Sequence, residues 1–230
     1  MPGHLRKTAR FALYLAKYAA GLPKYRFLSR REVFADIHSR GIWRNSETHS
    51  GDSSTLARTE KIRAALPALF EKYSIESMLD IPCGDFNWMP SLERLPNAFI
   101  AADIVPEIVE ENRMKHPGID FRVLDICADP LPVTDLVFCR DCLVHLPLKD
   151  AIAALDNIRS SGAKFLMATT FPKTRVNRGV TTGAWRPLNL EKPPFSLPPP
   201  LETINEDFIL RAGRHKDKSM ALWELDSHEG

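Results

Sequence analysis

Five acids, a lone glycine and a histidine stand at the ends of short apolar runs in the middle of this chain, a pattern that lets them meet on one ligand. The first run, Ser77 to Ile81, contains Asp80, breaks at Pro82-Cys83-Gly84 and passes into Asp85. An apolar strand that stops at a glycine turn before a helix N-terminus is how open α/β sheets build a nucleotide-sized pocket. A dinucleotide fingerprint carries three glycines, so that backbone can approach a pyrophosphate. Here Gly84 stands alone, and Asp85 would repel phosphate. A ligand with a ribose, an amino acid and a positive centre suits the turn better.

The following runs repeat the pattern. Asn97 to Asp103 is a second apolar strand closing on an acid, 19 residues beyond Gly84. A carboxylate at that offset can accept hydrogen bonds from ribose hydroxyls. Asp103 to Arg113 then reads as a helix, with Pro106 near its start. Phe121 to Ile126 is a third strand, with Asp125 where an adenine amino group could sit, and Asp135 to Arg140 is a fourth, leading into Asp141 and His145. S-adenosylmethionine (SAM) has the three parts this site asks for. The expected cofactor contacts are Asp80, Pro82, Gly84, Asp85 and Trp88 in the first turn, Asp103 and Ile104 in the second, and Asp125, Ile126 and Arg140 beyond. Trp88 either stacks near the adenine or packs its segment onto the sheet.

Leu79 to Trp88, Ala102-Asp103-Ile104, Leu124-Asp125-Ile126 and Cys139 to Leu146 resemble the motifs of class I SAM-dependent methyltransferases. The resemblance is nearest to a bacterial subgroup with an Asp-x-Pro-Cys-Gly-Asp turn and a Thr-Gly-x-Trp-Arg-Pro-Leu-Asn segment, here Thr182 to Asn189. It spans roughly residues 37 to 225. It implies a doubly wound, mostly parallel, Rossmann-like sheet of seven strands with a reversed last hairpin, and a SAM-dependent methyltransferase in which Asp80 supports the cofactor. The superfamily's turn usually holds two or three glycines. Pro82-Cys83 before Gly84 departs from it and alters the backbone available to the methionine part of SAM.

Methyl transfer is an in-line displacement at carbon, so the protein's work is chiefly positioning. An oxygen nucleophile also needs a base. An unperturbed histidine titrates near working pH, which makes His145 a candidate base, and Asp141, four residues earlier, shares its face if a helix begins there. These two are the candidate catalytic residues; packing against the sheet and helix capping are their plain alternatives. Arg175, Arg178 and Arg186 lie in a long proline-rich loop with Trp185 and Asn189. Arginine forks bind phosphate or carboxylate and an indole can cover a sugar face, which points to O-methylation of a small polar acceptor such as a sugar, a sugar nucleotide or a phosphate conjugate. A solvated lid is the other reading of that loop. Ser50 to Ser54 could close over the cofactor's carboxylate, or simply turn the chain before the next helix.

The elements that must position these groups fit one domain with extensions: 230 residues, 44% hydrophobic, net charge +2. That charge argues against a nucleic-acid binder, and no apolar run is long enough for a membrane span. Residues 1 to 55 read as a basic helical extension and cap, and residues 56 to 230 as the methyltransferase domain. Residues 4 to 20 read as a basic amphipathic helix packed on the domain or a partner, with membrane-surface contact as the alternative. Helices are expected over Glu32 to Trp43, Thr55 to Tyr73 and Lys149 to Arg159, a fifth strand over Lys164 to Thr170, and a closing strand pair over Phe208 to Gly213 and Ser219 to Leu225. Cys139-x-x-Cys142 invites a zinc or redox reading, but a cytoplasmic protein with small buried thiols explains it, and no metal is expected. Two rival functions are an NAD-dependent oxidoreductase, which the missing glycines disfavour, and a non-catalytic SAM-binding module. Oligomeric state is left open by the sequence.

Overall fold

A computed structural model describes residues 24–207 and 216–225. Strands β1 (Ser77–Asp80), β2 (Ala98–Asp103), β3 (Asp120–Val123), β4 (Leu136–Cys139), β5 (Phe165–Thr170), β6 (Glu202–Asn205) and β7 (Ser219–Glu224) form one sheet in the order β3-β2-β1-β4-β5-β7-β6. The first five pair in parallel, and β7 runs antiparallel to both β5 and β6. This is the expected doubly wound sheet with its reversed last hairpin. From β1 the chain winds outward to β2 and β3, then crosses back to β4 and β5. The carboxyl ends of β1 and β4 therefore diverge at the switch point where open α/β sheets bind ligands.

Both faces of the sheet are covered, which is why β4 is apolar at every position and buried throughout. Alternation sends Leu79, Val137, Cys139, Leu166 and Ala168 to one side, against Ala151, Ala154, Leu155 and Ile158 of helix α4 (Leu148–Ser160). Met78, Phe138, Met167 and Leu222 face the other side, against Ile62, Leu66 and Phe70 of helix α2 (Leu56–Lys72). Helix α3 (Pro106–Lys115) starts at its proline, where a missing N–H costs nothing. Helix α1 (Arg30–Ser39) is opened by a capping box in which Ser29 and Glu32 exchange side-chain and backbone bonds. No helix among the described residues is long and apolar enough to cross a membrane.

Several expectations shift. The third strand ends at Val123, leaving Asp125 in a turn. No α-helix begins at Asp141; a single 3-10 turn, Leu143–His145, follows instead. The strand that pairs with β7 is Glu202–Asn205, whereas the expected Phe208 to Gly213 lies outside the described residues, as does the 4-to-20 helix. The proline-rich loop is tied internally. Asn177 donates to the carbonyls of Asn189 and Pro193 while accepting from the Asn189 N–H, and Asn189 donates in turn to Pro172 and Thr174.

Candidate functional site

A cavity of about 600 Å³ opens at the carboxyl edge of the parallel strands, under a cover made by residues 30 to 54. The cover is fastened at three places. Arg30 of α1 forks onto Asp125 at 2.8 and 3.1 Å and reaches Asp150 at 3.4 Å. Asp85 accepts from the Thr48 hydroxyl, the His49 N–H and the Ser50 hydroxyl at 2.6 to 2.8 Å. Ser53 donates to Asp141 at 2.8 Å, and its carbonyl accepts from Arg140. Gly84 is required beneath this cover: its φ is +55°, and a Cβ there would run into the Ser50 hydroxyl. Gly183 plays the same part for the proline-rich loop, with φ of +81° and Ile37 of α1 against it.

Two buried carboxylates dominate the floor. Asp103 accepts from the N–H groups of Gly84 and Val105 at 3.1 and 3.0 Å, one on each oxygen. Burial pushes it up to about 6 against the pull of those bonds. Asp80 is 4% exposed and lines the cavity, yet no hydrogen bond or salt bridge reaches its carboxylate among the described residues. Burial, and then the Asp103 charge, hold it well above the usual carboxylate range, with Arg140 opposing. A buried carboxylate with no partner is costly to the fold alone, and one that faces a cavity is poised for a cationic ligand.

Beside them lies a closed quartet of charges. Arg140 forks onto Glu206 at 2.8 and 3.0 Å, and Lys218 joins Glu206 at 2.9 Å and Asp141 at 2.6 Å. All four belong to one sheet edge. Because β7 is antiparallel, its start rather than its end brings Lys218 there, while Glu206 follows the end of β6. Burial alone would raise Asp141, but Lys218 and Arg140 outweigh it and hold the carboxyl far below its ordinary value. Asp141 is therefore corrected from a candidate base to a member of this network. Nor does it orient His145, whose Nδ1 lies 2.9 Å from the Ala184 carbonyl. A carbonyl only accepts, so Nδ1 carries the proton and Nε2 keeps a lone pair. Burial lowers His145 to about 4, so the ring is neutral at working pH.

Of the expected cofactor contacts, Asp80, Pro82, Gly84, Trp88, Asp103 and Ile104 line the cavity. Asp125, Ile126 and Arg140 do so too, although Arg30 and the Cys127 N–H already engage the Asp125 carboxylate. Asp85 is corrected: it is turned away into the 48-to-50 loop and acts by holding that loop down. Of the expected acceptor contacts only Trp185 is in the wall. Arg175 and Arg178 are exposed outside it. Arg186 is buried and donates to the Leu143 and Arg178 carbonyls at 2.7 and 3.0 Å, and burial lowers it to about 10. Asn189 is consumed in knitting the loop. Residues missed from the sequence include Arg30, Phe34, Glu206 and Lys218. A polar residue flanking an apolar strand was a signal for the last two, once the strand's direction is known.

No protein-family model matches the chain, and no curated protein matches it significantly in sequence. Among solved structures it is similar to the methyltransferase domain of bacterial CtHen1, at 10% identity and a TM-score of 0.54, over 74% of this chain and 100% of that one. It is also similar to the N-methyltransferase NodS from Bradyrhizobium japonicum WM9, at 12% identity and a TM-score of 0.51, over 75% of this chain and 98% of that one. At these identities the likeness establishes the methyltransferase fold.

Proposed function

We propose that this chain is a SAM-dependent methyltransferase that acts on an oxygen of a small acceptor. The observation that carries the reading is Asp80: a buried, unpartnered carboxylate beside Asp103 on a cavity wall. The pair would repel the pyrophosphate of a dinucleotide. It suits a ligand that offers both a positive charge and hydroxyl donors, and SAM fits that donor set. Asp103 retains acceptor capacity on both oxygens for ribose hydroxyls. Asp80 would take the cationic groups, Ile104 and Ile126 would flank the adenine, and Gly84 would let the turn approach the methionine part. The cavity volume lies within the roughly 300–1,000 Å³ common for small-molecule sites.

When bound, SAM supplies an electrophilic methyl group on its sulfonium. The chain's own tasks are then to orient the acceptor, exclude water and hold a proton. His145 is suited to the last, since its ring lines the cavity and is fixed through Ala184, which leaves the Nε2 lone pair unspent. Residues 30 to 54 act as the cap over the catalytic domain in this reading. A cytoplasmic setting accords with four free thiols, two of them, Cys83 and Cys127, raised by burial and so unreactive. A sugar or phosphate acceptor remains compatible with an oxygen nucleophile, but not by the grip of Arg175, Arg178 and Arg186. Asp103→Ala tests the cofactor assignment: SAM binding should weaken by about 1–3 kcal/mol, the cost of stranding buried hydroxyl donors. Unchanged affinity would contradict it.

A further inference from the structure

The cavity has a second end whose chemistry differs from the acidic floor. Phe34, Trp43, His145, Phe171 and Trp185 all line it. Trp43 lies against His145 with ring centroids 4.6 Å apart at 36°, Phe34 flanks Trp43 at 6.0 Å, and Phe171 meets Trp185 edge-on at 5.7 Å. These rings come from four separate places: α1 and its following turn, the segment after β4, the end of β5, and the proline-rich loop. The sheet alone does not bring them together; the cover and the loop do. The loop is docked on the His145 turn by bonds from Gly183 to the His145 carbonyl and from Arg186 to the Val144 carbonyl.

Three of the cations in this wall are held by acids. Arg30 holds Asp125 and Asp150, and Arg140 and Lys218 hold Glu206 and Asp141. Arg44, the one other guanidinium in the wall among the described residues, is exposed and acts on His49. Phe34, Trp43 and Trp185 are only part-buried there, and His145 adds a hydrogen-bond acceptor, Nε2, its other nitrogen being spent on Ala184.

We propose that this end of the cavity receives a planar aromatic ring bearing a hydroxyl, which packs against Trp43 and Trp185 and donates to Nε2 of His145. The inference rests on the methyltransferase reading, because it identifies the acceptor of that reaction. A planar ring gains offset or edge-on contact with the indoles. Its hydroxyl supplies a donor that Nε2 of His145 can accept. An O-methylated ring lacks that donor and would be held less well, which favours release of the methylated product.

Calorimetric titration of the full chain, saturated with S-adenosylhomocysteine (SAH), against hydroxylated benzenes, naphthalenes and coumarins, their O-methyl ethers and hexose phosphates tests this. At least one hydroxylated ring should bind saturably, about tenfold tighter than its ether, the loss for one unmet hydrogen bond. His145→Phe keeps the stack on Trp43 but should erase that preference, and Trp43→Leu should weaken hydroxylated ring and ether alike. SAH affinity should be unchanged in both variants, which separates a lost contact from a damaged fold. Binding of hexose phosphates but of no planar ring, binding by none of the hydroxylated rings, or an intact preference in His145→Phe would each overturn the proposal. Failure of SAH itself to bind would instead contradict the methyltransferase reading, and the ring titration repeated without SAH would still decide this site.

Discussion

At the scale of single residues, the site keeps charges that the fold by itself would rather lose. Asp80 has no hydrogen-bond or salt-bridge partner among the described residues, its neighbour Asp103 adds repulsion, and Arg140 opposes the resulting rise without cancelling it. The Asp80→Asn variant should therefore melt higher than the parent in the absence of ligand, while binding SAH and SAM more weakly. The sign of its pH dependence follows from the raised folded value. Below the unfolded carboxyl value of about 4 the parent's Asp80 is protonated in both states and costs nothing. As pH rises, the folded state must give up a proton it holds more tightly, so the parent loses stability that Asn does not. The melting advantage of Asp80→Asn should grow with pH above about 4 and then level off; a flat difference would sink the claim that the acid is strained. His145 behaves in the opposite sense. Its lowered value of about 4 keeps it neutral in the folded protein, so kcat/KM should show no rising limb from His145 between about pH 5 and pH 9. A limb near pH 6.5 that disappears in His145→Gln would show instead that the ring is solvated in the working enzyme.

At the scale of elements, the edge of the sheet is assembled by charges contributed from distant parts of the sequence. Lys218, at the start of β7, joins Asp141 after β4 and Glu206 after β6, and its side chain is 3% exposed. Lys218→Met would leave buried Glu206 and part-buried Asp141 facing one arginine. It should cost about 3–5 kcal/mol in urea unfolding, as removal of one partner from a buried pair does. A loss of less than about 1 kcal/mol, the range of an exposed pair, would mean that water reaches the network. Gly84→Ala should displace the Ser50 hydroxyl and with it the loop that Asp85 holds, so ligand affinity should fall with little change in secondary structure by circular dichroism. This is also the scale at which the sequence was readable in part. Strands β1, β2, β4 and β5 were legible because each is a short, continuously apolar run closed by a polar residue, as burial on both faces demands. The hairpin was half legible. Nothing in the periodicity of Glu202–Asn205, which alternates half-buried and exposed residues, distinguishes it from a loop that follows three prolines.

At the scale of the whole molecule, the cavity is a joint product of the sheet and a cover that local sequence does not announce. Asp103, Asp80 and Gly84 were legible because strand ends and turns are local features. Arg30 was not, because its partners Asp125 and Asp150 are remote in the chain and only tertiary packing brings them together. Arg186 and Asn189 misled for a related reason: a polar side chain in a long loop reads as a ligand contact until the loop's own carbonyls are seen to consume it. A ligand that bridges floor and cover should stabilise the whole domain. SAH at about 100 times its Kd should add about 2.7 kcal/mol, which for a domain of this size raises Tm by about 5–11 °C. The most direct measurement is calorimetric titration of the protein with SAM, SAH and NAD side by side. Saturable binding of SAM and SAH, weakened in Asp80→Asn and Asp103→Ala, with none for NAD, is the result this account expects. Binding of NAD, or no binding of SAM or SAH by well-folded protein, would contradict it.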